Sequence, residues 1–454
     1  MAQSGRPRQV MRLGSRHSSF RIRHSAVIRH RSFVILVLFL PALPAGCHPG
    51  PGAAKLTPKE ADLIARIDAS LASAARFMVA RQSPDGAWRS PVYGIYKDGP
   101  SLTPHVISAL YFLPQGGPKA CEAFDAGVEY LVGLLDENGR VRADVELVYP
   151  IHTAAEASRL VVKGSRTPGH VKAHKAWLAY LREHQLNESL GWQESDLEYG
   201  GWSFAIRPPR RPEAGKPRGA WDWSNLSATI YGLAALRSAK VPADDPSFRQ
   251  MLIFVQRCQN YSDDPAIADP NFDDGGFFFT PAEPIQNKAG VAGRDASGRQ
   301  RYHSYGSMTV DGLRALLALG LPAAHPRVVA ARRWLERNFT VEHNPGEFVP
   351  QNEWMRDAFY YYYCWGLAHA HMRLGARQVQ APQGKADWAV ELAEALLRRQ
   401  RQDGSWINRF TEAREDDPLV ATPWASSVLA ICRRVISGQE SPSTPCLPDG
   451  RQIG

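Results

Sequence analysis

The chain has 454 residues, 44% hydrophobic and 22% charged, with 12 Trp, 15 Tyr and 17 Phe, enough apolar material for one large core or two ordinary ones. This excludes disorder as the general state, and it excludes a small disulfide-stapled scaffold. The formal charge of +9 belongs to the first 46 residues, which hold eight arginines (Arg6, Arg8, Arg12, Arg16, Arg21, Arg23, Arg29, Arg31) and neither lysine nor acid; taking those eight from 54 leaves 46 basic residues against 45 acidic, so the body gives no electrostatic reason to expect nucleic acid.

In chain order, residues 1–46 read as an export leader. The arginines precede the apolar run Phe33–Leu43, which at about 11 residues is too short for a bilayer span but suits a signal-peptide core. Leu43-Pro44-Ala45-Gly46-Cys47 resembles a bacterial lipobox, with Cys47 as the expected lipidation site and membrane anchor, although Pro44 departs from the usual Leu. Residues 47–56 are rich in Pro and Gly, as a tether is. Of the remaining cysteines, Cys121, Cys258, Cys364, Cys432 and Cys446, none forms a C-x-x-C pair, and their scatter through apolar stretches predicts small buried hydrophobes.

Residues 57–437 repeat a two-helix unit six times. Ala61–Ala80 pairs with Thr103–Leu113, Ala120–Leu135 with His152–Val162, and Val171–His184 with Ser224–Ser238. Phe248–Gln259 then pairs with Ser307–Leu319, Arg327–Asn338 with Asp357–Leu374, and Trp388–Arg399 with Thr422–Val435. Apolar residues recur at three- and four-residue spacing, as in Leu226, Ile230, Leu233 and Leu236. Between helices stand Asp85-Gly86-Ala87-Trp88, Tyr199-Gly200-Gly201-Trp202, Asp273-Asp274-Gly275-Gly276-Phe277 and Asp403-Gly404-Ser405-Trp406. Gly supplies the positive φ that ends a helix, Asp folds the turn, and the aromatic wedges against a neighbour. Six hairpins can stack openly or close, and closure removes two exposed ends; the expected fold is all-α, a single-domain α6/α6 toroid, with a polar tail over 438–454.

Gln82–Trp88 and Gln402–Trp406 resemble the Q-W repeats of squalene and hopene cyclases, and the unit plan is similar to the β-subunits of protein prenyltransferases. Tyr199–Trp202, Asp273–Phe278, Ser304–Thr309 and the run Tyr360–Tyr363 resemble a bacterial branch that carries prenyltransferase/squalene-oxidase repeats. The resemblance covers nearly the whole body; it implies the toroid, and an isoprenoid or other lipid as ligand.

The chemistry that the resemblance implies is incomplete here. Squalene cyclases protonate an alkene with a D-x-D-D motif, and the nearest counterpart is Asp222-Trp223-Ser224-Asn225, where serine stands in place of the donor acid. Its plain alternative is a helix N-cap. Zinc prenyltransferases need D-x-C and a distant His; only Tyr302-His303-Ser304 has a counterpart, so no metal or other cofactor is expected. The acids Asp263, Asp264, Asp269, Asp273 and Asp274 are either a diphosphate–metal site or turn residues. Asp311 lies within a predicted inner helix, where desolvation would raise its pKa; it and Asp222 are the leading candidate acids, with Asp357 a third candidate that doubles as an N-cap. Trp202, Trp223, Tyr231, Tyr305, Tyr360, Tyr361, Tyr362 and Tyr363 are the candidate cavity aromatics. Four consecutive helical tyrosines point around about 300°, so some face core, some a neighbour and some the lumen. The alternatives are a non-catalytic lipid- or protein-binding toroid and a carbohydrate-directed α6/α6 barrel.

Overall fold

The structure, a computed structural model, describes residues 56–438 apart from 114, 115, 143, 164–166, 214, 217 and 220. All of these belong to one of the chain's two compact units, Ala53–Gly454. Cys47, the leader, most of the tether and the tail lie outside the described residues.

Thirteen helices and two small hairpins are present among the described residues. In chain order, outer helix α1 (Pro58–Val79) is followed by inner α2 (Leu102–Tyr111), α3 (Gly117–Gly133) by α4 (Pro150–Leu160), and α5 (Pro168–Glu183) by α6 (Leu226–Ser238); in space α2 packs on α3, α4 on α5, and α1 on the last inner helix. Likewise α7 (Pro246–Arg257) pairs with α8 (Gly306–Ala318); α9 (Pro326–Arg337) pairs in sequence, after the single turn α10 (Met355–Ala358), with α11 (Tyr360–Leu374); and α12 (Trp388–Arg399) pairs with α13 (Pro418–Ser437). Each inner helix packs on the next, and α13 packs back on α2, so the inner ring closes. Proline at the first turn of α1, α5, α7 and α9 starts each outer helix where a missing N–H does no harm. The antiparallel hairpins β1 (Val291–Arg294) with β2 (Gln300–Tyr302), and β3 (Gln378–Ala381) with β4 (Gly384–Asp387), were not expected; both decorate long connections between helices.

The glycine turns are clamps between neighbouring outer helices. After α1, the Gln82 amide donates to Gly86 O (3.0 Å) in its own turn and to Ala123 O (2.8 Å) in α3, while Trp88 Nε1 donates to Met78 O (2.7 Å). After α12, Gln400 donates to Gly404 O (2.9 Å) and to Ser70 O (3.0 Å) in α1, and Trp406 Nε1 to Leu396 O (2.8 Å). The operative glutamine of the last turn is therefore Gln400, at the same spacing from its tryptophan as Gln82, whereas Gln402 is exposed. Gln185 (to Gly200 O and Ser247 O) and Gln259 (to Gly275 O and Arg327 O) make the same clamp across longer loops. A threonine on the following inner helix completes each joint: Thr103, Thr229, Thr309 and Thr422 accept from the N–H of Trp88, Trp202, Phe277 and Trp406. Gly404 has φ +87°, and a Cβ there would lie 2.5 Å from Ser73 O, so glycine is required.

Cys258, Cys364 and Cys432 are buried and free, as expected of small hydrophobes. Cys121 departs from that expectation, being disulfide-bonded.

Candidate functional site

The inner helices carry polar residues on the face turned to the lumen. On α4, His152, Glu156 and Arg159 follow at four- and three-residue spacing and share one face. Ser227 and Tyr231 do so on α6, Asp311 and Arg314 on α8, and Tyr362, Trp365 and His369 on α11. A core with no function would put apolar side chains here; buried, mutually interacting ionisable groups instead mark a candidate site.

A cavity of about 600 Å³ opens at the N-terminal ends of the six inner helices. The segments that precede the inner helices line it with rings (Tyr96, Tyr149, Phe204, Trp221, Phe279, Phe359) and with the charged Lys288, Glu412 and Arg414. The inner helices themselves line it with polar side chains, His105, His152, Glu156, Ser227, Tyr231 and Tyr362, beside Met308 and Trp424. Lys288 and Arg414 stand among the rings: Arg414 lies 5.4–5.6 Å from the Tyr93, Tyr96 and Tyr149 centroids, and Lys288 lies 5.8 and 5.9 Å from those of Phe279 and Phe359.

From the cavity a hydrogen-bonded series runs into the wall. His152 Nε2 is 3.1 Å from Ser227 Oγ, Ser227 Oγ is 2.9 Å from Tyr362 Oη, and Tyr362 Oη donates to Asp311 Oδ2 at 2.5 Å. Arg314 holds the other oxygen, Oδ1, at 2.8 Å. Desolvation pushes the fully buried Asp311 carboxyl up to about 6, the Arg314 charge and the Tyr362 hydroxyl opposing it. Burial, helped by nearby His105, pushes His152 down to about 3, so its imidazole is neutral. Its Nδ1 has no hydrogen-bond partner. Beside it, His105 Nε2 donates to Val420 O at 3.0 Å, with Nδ1 4.0 Å from Glu156 Oε1.

Deeper in the lumen, Arg314 stacks over Trp365 (4.5 Å), which meets His369 edge-on (4.8 Å). Desolvation, then the charges of Arg314 and Arg159, hold His369 well below its ordinary value. Arg159 itself is pulled down by burial and makes no hydrogen bond or ion pair among the described residues. Glu415, also fully buried, accepts from the N–H groups of Tyr361 (3.1 Å) and Tyr362 (2.9 Å) and from Asn408 Nδ2 (3.0 Å), capping α11; desolvation raises it to about 7.

Of the residues expected at the site, Tyr231, Tyr305 and Tyr362 line the cavity, and Asp311 lies behind Tyr362. The tyrosine run divides as its helical angles require: the hydroxyls of Tyr360 and Tyr363 donate to Val341 O and Thr340 O, and that of Tyr361 to Ile407 O, so these three sit in the wall. Trp202 is a fully buried wedge donating to Leu181 O. Trp223 is outside the cavity, stacked under Arg218 (4.2 Å) in an open surface groove. Asp222 also lies outside; it accepts from Gly219 N, and the cap of α6 is Asn225, whose Oδ1 accepts from Ala228 N at 2.8 Å. Asp357 belongs to α10 and does not cap α11, because Glu415 takes those N–H groups. Asp263 pairs with Arg327, Asp273 with Arg301, Asp274 binds Ser304 and Trp334, and Asp264 and Asp269 fold turns, so the acidic cluster is a set of loop braces. Among the described residues no group of three or more His, Cys, Asp or Glu is placed to hold a metal.

Sequence reasoning missed His105, His152, Glu156, Arg159, Ser227 and Glu415. The His152–Glu156–Arg159 stripe on an otherwise Ala-rich helix was the available signal. Glu415 had none, since only the fold brings it beneath Tyr361.

No protein-family model matches the chain, and no curated protein matches it. Among solved structures, the cellobiose 2-epimerase of Spirochaeta thermophila DSM 6192 is similar, with a TM-score of 0.52 at 12% identity over 85% of this chain and 99% of that one. The type II terpene cyclase MstE of Scytonema, solved with geranylgeranyl dihydroxybenzoate, aligns at a TM-score of 0.48 and 14% identity over 83% and 99%. An inactive alpha-1,6-mannanase GH76A of Salegentibacter sp. HEL1_6, solved with alpha-1,6-mannotriose, aligns at 0.47 and 10% over 82% and 99%. At such identities a likeness concerns the fold alone, and the fold is the expected one: an α/α toroid of six helix hairpins.

Proposed function

We propose that the chain is an exported toroid that binds an amphipathic lipid, isoprenoids included, with the polar end of the ligand inward. The observation that carries this reading is the division of one cavity's lining between rings on the segments that precede the inner helices and polar side chains on the helices themselves. Burial of a chain against the rings of Phe204, Phe279 and Phe359 stabilises by about 25 cal/mol per Å² of apolar surface removed from water. The inner helices then offer hydroxyls, neutral imidazole and Glu156 to a polar head. Any transformation belongs at that polar end. Asp311 sits behind Tyr362 with its carboxyl raised to about 6, far too weak an acid for an alkene, and Asp222 is outside the cavity. Export is part of the proposal, supported by the leader and by Cys47 as the anchoring residue.

The test is mass spectrometry of organic extracts from the purified mature protein, incubated with squalene and bacterial membrane lipid. A retained lipid supports the reading, and a squalene isomer lost in an Asp311→Asn control would contradict the assignment of Asp311 as too weak an acid for an alkene. An empty extract would overturn it. A carbohydrate-directed reading is favoured by one observation, the density of hydroxyl and imidazole groups beside stacked rings, and predicts retention of a glycan in the same experiment.

A further inference from the structure

We propose that the series Asp311–Tyr362–Ser227–His152 fixes His152 in the Nε2–H tautomer and so reserves Nδ1 as an acceptor for a hydroxyl group of the ligand. This deepens the lumen-binding reading and rests on it for the ligand.

The direction of each hydrogen bond follows from the first. Arg314 lies 2.8 Å from Asp311 Oδ1, favouring the carboxylate, which can only accept. Tyr362 must then donate its single proton to Oδ2 at 2.5 Å, which leaves its oxygen an acceptor towards Ser227. With Ser227 donating to Tyr362 at 2.9 Å, the serine oxygen accepts, and the group facing it at 3.1 Å is His152 Nε2, which must carry the hydrogen. The reverse arrangement, Ser227 donating to His152, would set the Ser227 and Tyr362 oxygens lone pair to lone pair at 2.9 Å with no proton between them. A neutral imidazole has one N–H, so Nδ1 holds the lone pair.

Nδ1 is buried without a partner. The ring stands among those of Tyr231 (4.1 Å), Phe204 (5.5 Å) and, edge-on, Tyr149 (5.9 Å), and the residue borders the cavity. A buried acceptor left unpaired is an unfavourable feature of the empty protein that a ligand hydroxyl would relieve. Asp311, Tyr362 and Ser227 are positioning residues, and His152 is the one that meets the ligand.

The first measurement is long-range ¹⁵N NMR of the histidine rings in the ligand-free protein, with His152 assigned by its loss in His152→Asn. The expected spectrum shows Nε2–H in the wild type and a shift towards a tautomer mixture in Tyr362→Phe. Ser227→Ala is the second variant, for use if Tyr362→Phe does not fold. An Nδ1–H signal in the wild type, or a tautomer unmoved in a folded variant, overturns the relay. The second measurement compares farnesol with farnesyl methyl ether, the same chain without the donor. Tenfold or tighter binding of the alcohol, lost in His152→Phe, is expected; equal binding in the wild type overturns the hydroxyl role. Failure of both probes to bind counts against the lipid reading above, and the tautomer then decides the relay by itself.

Discussion

The side-chain amide of Gln400 donates to the backbone carbonyl of Ser70 at 3.0 Å, across a sequence separation of 330 residues. With the Arg66–Glu394 ion pair, this contact joins the last outer helix to the first, and it repeats, at the seam of the ring, the clamp that Gln82 makes between α1 and α3. Gln400→Ala leaves the carbonyls of Ser70 and Gly404 without that donor and should lower stability by about 1–3 kcal/mol. Gln402→Ala, at an exposed position in the same turn, should change it by less than about 0.5 kcal/mol. Urea unfolding of both variants checks this; equal effects would mean that the clamp does not operate.

Glu415 makes stability depend on pH. Its folded value, about 7, is above its ordinary one, so the folded state holds the proton more tightly than the unfolded state. Its contribution is therefore most favourable below pH 4.5 and is lost as pH rises through 7. Relative to Glu415→Gln, the wild type should lose up to about 3 kcal/mol across that window. His152, held down to about 3, acts in the opposite direction between about 3 and 6.5, but it is present in both proteins and cancels in the difference. Parallel stability curves for the two proteins would show that Glu415 does not titrate there.

Arg159 carries a buried charge without a hydrogen bond or ion pair among the described residues; the Glu156 charge one turn away favours it, the Arg314 charge opposes it, and burial outweighs both. Arg159→Leu should raise the urea midpoint of the ligand-free protein, by the equivalent of about 1–3 kcal/mol. The same variant should weaken binding of any ligand whose polar end is anionic, measured by titration calorimetry with farnesyl phosphate against farnesol. A lower midpoint would show that the guanidinium is already compensated.

A serine 3.1 Å from a histidine invites a nucleophilic role, and the relay argues against it. With the Ser227 proton directed at Tyr362, His152 cannot act as its base. Ser227 should resist a fluorophosphonate probe in the wild type. Labelling that disappears in Ser227→Ala would reverse the assigned hydrogen-bond direction.

Much of the architecture was legible in the residues themselves. Eleven of the twelve expected helices are present, and the twelfth, Asp357–Leu374, is interrupted at Phe359, because apolar spacing, Pro at helix starts and Gly at helix ends act within a few residues of one another. The tyrosine run announced by its angles alone that it faces several ways. The two β-hairpins were missed because each is short, and the last clamp was read two residues late because Gln400 and Gln402 flank the same arginine.

The chain by itself thus determined the helices, their order and the turns between them, since these depend on local backbone preference and on the period of burial. Tertiary structure alone decided which polar side chains meet. Ser227 and Tyr362 are 135 residues apart and His152 and Ser227 are 75 apart, and only closure of the inner ring sets them within a hydrogen bond. Closure likewise set Asp311 behind Tyr362 and gave the cap of α11 to Glu415 instead of Asp357, because a buried N–H takes the acceptor that packing brings to it, however distant in sequence.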